Sequence, residues 1–87
     1  MYLFYGENCP HCIELKSFLK EYLEEKDNIT LYSYEIWNNN VNKTHLQNIV
    51  NILHVQFSGV PYLVIGNSAI SGFSKELTPE RIKNTVN

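Results

Sequence analysis

Cys9-Pro10-His11-Cys12 holds both cysteines of the chain, in C-x-x-C spacing. A thiol attacks as its thiolate, and this spacing lets a second sulfur one helical turn on reach back to the first. The apolar run Tyr2-Leu3-Phe4-Tyr5 precedes the motif and a helical pattern follows it. A strand that delivers Cys9 to a helix N-terminus sets its sulfur among unpaired N–H groups and partial positive charge, which favour the thiolate. C-x-x-C beside a βαβ pattern points to thiol–disulfide exchange. A bridge across two residues restricts the unfolded chain little, so the pair reads as reactive rather than structural.

Roles follow from position. Cys9, expected to be exposed at the helix start, is the candidate nucleophile, and Cys12, one turn inside, the resolving thiol. Pro10 suits the first turn, where its missing N–H breaks no bond. His11 would stabilise the Cys9 thiolate by charge when protonated, or by a hydrogen bond when neutral; the plainer reading is an exposed polar residue. The rival chemistry is half a zinc site, which needs four ligands. The sequence offers no third cysteine, and His45 and His54 lack ligand spacing, so they read as surface residues. No metal is expected, and zinc shared between two chains is the remaining form of that idea.

The elements that must position these residues can be read in chain order. Residues 2–5 form a short apolar strand, and Gly6-Glu7-Asn8 a loop. Leu15, Phe18, Leu19, Tyr22 and Leu23 make one helical stripe, ended by Asp27-Asn28. Residues 29–36 read as a second strand. The asparagine run 38–40 reads as a loop, since such residues favour turns and helix N-caps. Leu46, Ile49, Val50 and Leu53 stand at i, i+3, i+4 and i+7, giving a helix over about 42–54. Residues 62–65 and 68–71 pair as a hairpin across Gly66-Asn67. Thr78-Pro79-Glu80 starts a last helix with Thr78 as N-cap and Leu77, Ile82 and Val86 as anchors. The order is β-α-β-α-β-β-α, with parallel strands from the first crossover and an antiparallel pair from the tight turn.

Composition narrows the classes. Eighty-seven residues, 44% hydrophobic, suit one domain over 1–87 with a packed core. A net charge of -2 with scattered lysines gives no electrostatic case for nucleic acid. No apolar stretch approaches the ~20 residues of a membrane span. The start lacks the pattern of a signal peptide, so a cytoplasmic monomer is expected.

The chain resembles the thioredoxin fold in its smallest, glutaredoxin-like form. The resemblance rests on Cys9-Pro10-His11-Cys12 after the first strand, Gly59-Val60-Pro61 before the third and Gly72-Phe73 before the last helix. It implies an α/β fold with a four-stranded mixed sheet flanked by three helices. It implies a cis Val60–Pro61 bond, Pro61 beside the cysteines, and substrate pairing with the Val60 backbone as an added strand. Gly72 and Phe73 join Val60 and Pro61 as substrate-binding positions. The partners implied are protein disulfides or dithiols, with glutathione or a thioredoxin-reductase-type reductant as electron donor and no cofactor besides the cysteine pair.

Departures from the glutathione-binding pattern bear on that donor. Gly6, Glu7 and Asn8 stand where such relatives carry a basic residue, Ser71 replaces a glycine, and Lys75 stands where they carry an acid. Glu7 would repel glutathione's carboxylates and Lys75 its ammonium. Pro10-His11 is the dipeptide of strongly oxidising members of the superfamily, whereas glutaredoxins usually have Pro-Tyr. The alternatives are a glutathione-dependent glutaredoxin, a noncatalytic peptide-binding module on the same fold, and a cluster-binding dimer using Cys9.

Overall fold

A computed structural model describes residues 1–86. Its elements are β1 (Tyr2–Tyr5), α1 (Pro10–Leu23), β2 (Tyr32–Glu35), α2 (Asn40–Leu53), β3 (Tyr62–Ile65), β4 (Ser68–Ser71) and α3 (Thr78–Val86). The order β-α-β-α-β-β-α is the one the periodicities predict. The four strands lie in the order β2-β1-β3-β4, with β1 parallel to β2 and antiparallel to β3, and β3 antiparallel to β4. The architecture is α/β, a mixed sheet with three helices.

The central strands are buried on both faces, which explains why they read as continuous apolar runs rather than alternations. Leu3, Phe4, Tyr62 and Leu63 are all fully buried. Leu3, Leu63 and Ile70 pack with Leu15 and Leu19 of α1 and Ile82 of α3, while Phe4, Tyr62 and Val64 pack with Ile36 and with Leu46 of α2. So α1 and α3 cover one face and α2 the other. Each large apolar side chain so buried contributes roughly 1.5–3 kcal/mol.

Strand directions bring the motif-bearing loops to one end of the sheet. Tyr5 pairs with Glu35, Phe4 with Tyr62, and Tyr62 with Ser71. The chain therefore leaves β1 toward Cys9, leaves β2 toward Trp37, enters β3 from Val60-Pro61 and leaves β4 toward Gly72-Phe73, all at that end. Gly66 supplies the positive φ of the β3–β4 hairpin, at 59°.

Four expectations need correction. β2 spans only Tyr32–Glu35, because its partner β1 is itself four residues long. α1 ends at Leu23, before Asp27-Asn28, in a turn closed by the Lys26 N–H on the Leu23 carbonyl at 3.1 Å. α2 starts earlier than expected because Asn39 caps it, accepting the Asn42 N–H at 3.0 Å, and His54 closes it in the left-handed region. Thr78 is buried inside α3 rather than capping it, its Oγ1 accepting the Ser74 N–H at 2.8 Å, and Leu77 is 66% exposed and anchors nothing. Ile82 and Val86 do anchor α3.

Candidate active site

The turn that presents Cys9 begins where β1 ends. The Cys9 N–H donates to the Gly6 carbonyl at 3.2 Å, closing a four-residue turn. Asn8 takes φ 64° inside it, a conformation asparagine tolerates better than most residues. Cys9 is then the N-cap of α1: its backbone is extended and its Sγ accepts the Cys12 N–H at 3.2 Å, in the place a serine or aspartate oxygen usually fills. The Ile13 N–H bonds the Cys9 carbonyl at 3.0 Å. No acidic residue stands in the first turn of α1 to offset the positive helix end. Cys9 and Cys12 form a disulfide with Cα atoms 5.1 Å apart.

Cys9 is not the exposed residue expected. It is 6% exposed and Cys12 1%. With Sγ bonded to Cys12 and capped by its N–H, little of Cys9 faces solvent, yet Cys9 is still the more exposed residue of the pair.

His11 is exposed, and its Nδ1 lies 3.2 Å from Glu14 Oε1. Its partner is therefore a carboxylate one turn on. Glu14 Oε2 in turn lies 3.9 Å from Lys75 Nζ, tying α1 to the segment after β4. Ile13, Phe18, Phe73 and Lys75 help line a groove of about 460 Å³ between α1 and the segment after β4. An imidazolium beside a thiolate would stabilise the reduced pair and make the disulfide more oxidising. His11→Tyr is expected to make the couple more reducing by tens of millivolts, where about 30 mV corresponds to roughly 1.4 kcal/mol. Equilibration with a glutathione redox buffer reads this directly, and an unchanged potential would remove His11 from the chemistry.

Val60 and Pro61 lead into β3 at the same end of the sheet as Cys9. Their peptide bond is cis, as the resemblance implies. Pro61 is fully buried, and its carbonyl accepts the Gly72 N–H at 2.8 Å, which fastens Gly72 to the start of β3. Among the described residues no hydrogen bond engages the Val60 N–H or carbonyl. Beside Val60 runs a groove of about 510 Å³, walled by Ile36, Leu46 and Val50 and rimmed by Trp37, Phe57 and Lys43.

Three site residues carry no motif. Gly6 lies so close to the Trp37 indole that a β-carbon there would collide with the ring. Trp37 bridges the two halves of the site, touching the Cys9 turn and lining the Val60 groove. Glu35 accepts the backbone N–H groups of Glu7 and Trp37 on Oε2, both at 3.0 Å, and of Asn38 on Oε1 at 2.9 Å. Desolvation pushes the Glu35 carboxyl up, but the Asn38, Glu7 and Trp37 N–H donors and the Lys16 charge outweigh it and hold it below its ordinary value. Lys16 Nζ sits 3.2 Å from the centroid of the Tyr5 ring. The Glu7 carboxylate accepts Asn38 Nδ2 at 3.2 Å.

No helix among the described residues is long and apolar enough to cross a membrane. Compared with family models, with curated proteins and with solved structures, the chain has no match in any of the three.

Proposed function

We propose that this chain is a thiol–disulfide oxidoreductase of thioredoxin-like, glutaredoxin-type fold, acting through Cys9 and Cys12. The observation that carries the reading is a C-x-x-C disulfide built into a helix N-terminus, with the Cys12 N–H on Cys9 Sγ. A sulfur so capped keeps its hydrogen bond as a thiolate, so the reduced state is supported by the same geometry.

In the reducing direction the Cys9 thiolate attacks one sulfur of a substrate disulfide. A Cys9–substrate disulfide forms and the other substrate sulfur leaves as thiolate. Cys12 then loses its proton and attacks Cys9 Sγ, which restores the Cys9–Cys12 bond and expels the second substrate thiolate. Both released thiolates take up protons. The substrate gains two electrons and the cysteine pair loses two. A dithiol or glutathione returns the pair to its reduced form, and the reverse sequence oxidises a substrate dithiol. The free N–H and carbonyl of Val60 suit an extended substrate chain pairing as an added strand.

Insulin reduction by dithiothreitol tests the reading. Catalytic amounts of the protein are expected to shorten the lag before the reduced B chain precipitates. A lag equal to that with dithiothreitol alone would overturn the proposal.

A further inference from the structure

We propose that Glu35 is a positioning residue for disulfide exchange: its carboxylate clamps the turn that presents Cys9 to the loop that follows β2. The inference rests on the reaction proposed above. Register places Glu35 opposite Tyr5, the last residue of β1, so its side chain starts where both strands end. The turn from Gly6 to Cys9 closes on itself through the Cys9 N–H alone. Its second residue, Glu7, donates its N–H to Glu35 Oε2. The same oxygen takes the Trp37 N–H, and Oε1 takes that of Asn38.

One carboxylate thus gathers donors from two loops, whose residues Glu7 and Asn38 are 31 apart in the chain. The arrangement needs an anion. Two carboxylate oxygens offer about four lone-pair sites for the three donors, whereas an amide has one acceptor oxygen and would turn N–H against N–H. Trp37, held by that grip, lies over Gly6, and Asn42 Nδ2 braces the Glu35 carbonyl at 3.0 Å. The charged groups around it are Lys16 from α1, which attracts, and Glu7 from the turn, whose carboxylate is taken up by Asn38 Nδ2.

Backbone N–H groups have no side chain to move aside, so the clamp fixes where the turn lies and with it the approach to Cys9 Sγ. Its pH dependence follows from the same contacts. The folded protein favours the ionised carboxylate, so the clamp is complete above the ordinary value of 4.5 and opens as pH falls through the lowered one.

Glu35→Gln is nearly isosteric and tests this. It is expected to slow protein disulfide exchange roughly tenfold at pH 7, within the range that small misplacements of a reacting group cost. Trp37, the only tryptophan, gives a second readout that needs no catalysis. Its emission in the wild-type protein is expected to show an acid transition with a midpoint below 4.5, retained in Glu7→Gln and absent in Glu35→Gln. Exchange by Glu35→Gln at the wild-type rate, or an unchanged Trp37 transition in that variant, would overturn the proposal. Should the wild-type protein lack exchange activity, the proposed reaction falls, and the Trp37 titration still decides whether the clamp exists.

Discussion

Cys9→Ser is expected to lower disulfide exchange by a factor on the order of 10³ or more, the scale of loss when a covalent enzyme is deprived of its nucleophile. A serine oxygen can still cap α1, so the helix start survives while the sulfur chemistry does not. Cys12→Ser is expected to behave differently. Position 12 keeps its backbone N–H, which is what meets Cys9 Sγ at 3.2 Å, so the Cys9 thiolate remains supported. With no resolving thiol, the Cys9–substrate disulfide should accumulate and appear on a nonreducing gel as a band that dithiothreitol removes. Burial agrees with this assignment, since Cys12 at 1% exposure is less accessible to a protein substrate than Cys9 at 6%. Equal trapping by the two variants would show that the roles are wrong.

What was legible in the sequence and what was not divide along a physical line. α1 was legible because its stripe repeats every 3.6 residues and because Pro10 can stand only near a helix start. The hairpin was legible from Gly66-Asn67. The length of β2 was not, because a strand extends only as far as its partner: β1 begins at Tyr2, and Met1 before it bonds Ile29 to Leu31 only through its amine, on the Thr30 carbonyl at 3.2 Å. Glu35 read only as one residue of the strand expected over 29–36. Its partners are backbone N–H groups, which every residue except proline carries, so no residue type announced them. Trp37, between that strand and the asparagine loop, drew no role from the sequence, because what it covers is the absent side chain of Gly6. The His11–Glu14 pair was a missed signal: i, i+3 spacing on a helix puts the two side chains within reach.

Glutathione is expected to be a poor electron donor for this chain. By the resemblance to glutaredoxins, Lys75 stands where a glutathione-binding member presents a carboxylate to the ligand's ammonium, and Glu7 where it presents a cation to a ligand carboxylate. The surroundings sharpen the argument on one side and soften it on the other. Glu7 shares Asn38 with a second carboxylate, Glu35, so that wall of the site is more acidic than the sequence alone suggests. Lys75, 80% exposed, has Glu14 within 3.9 Å, which offsets part of its charge. Exposed charge pairs are worth roughly 0.2–1 kcal/mol each, and turning two attractions into repulsions costs about 1–3 kcal/mol, or roughly ten- to a hundredfold in affinity. The expected result is slow turnover of a glutathione mixed disulfide beside ready reduction of insulin. Glu7→Lys with Lys75→Asp should raise the glutathione rate: the first supplies the missing cation, and the second joins Glu14 in a paired acceptor for the ammonium. A wild-type protein that already turns over glutathione mixed disulfides quickly would sink this expectation. Recognition would then have to come from groups indifferent to those charges, namely the free N–H and carbonyl of Val60 and the backbone at Gly72, which Pro61 holds beside it.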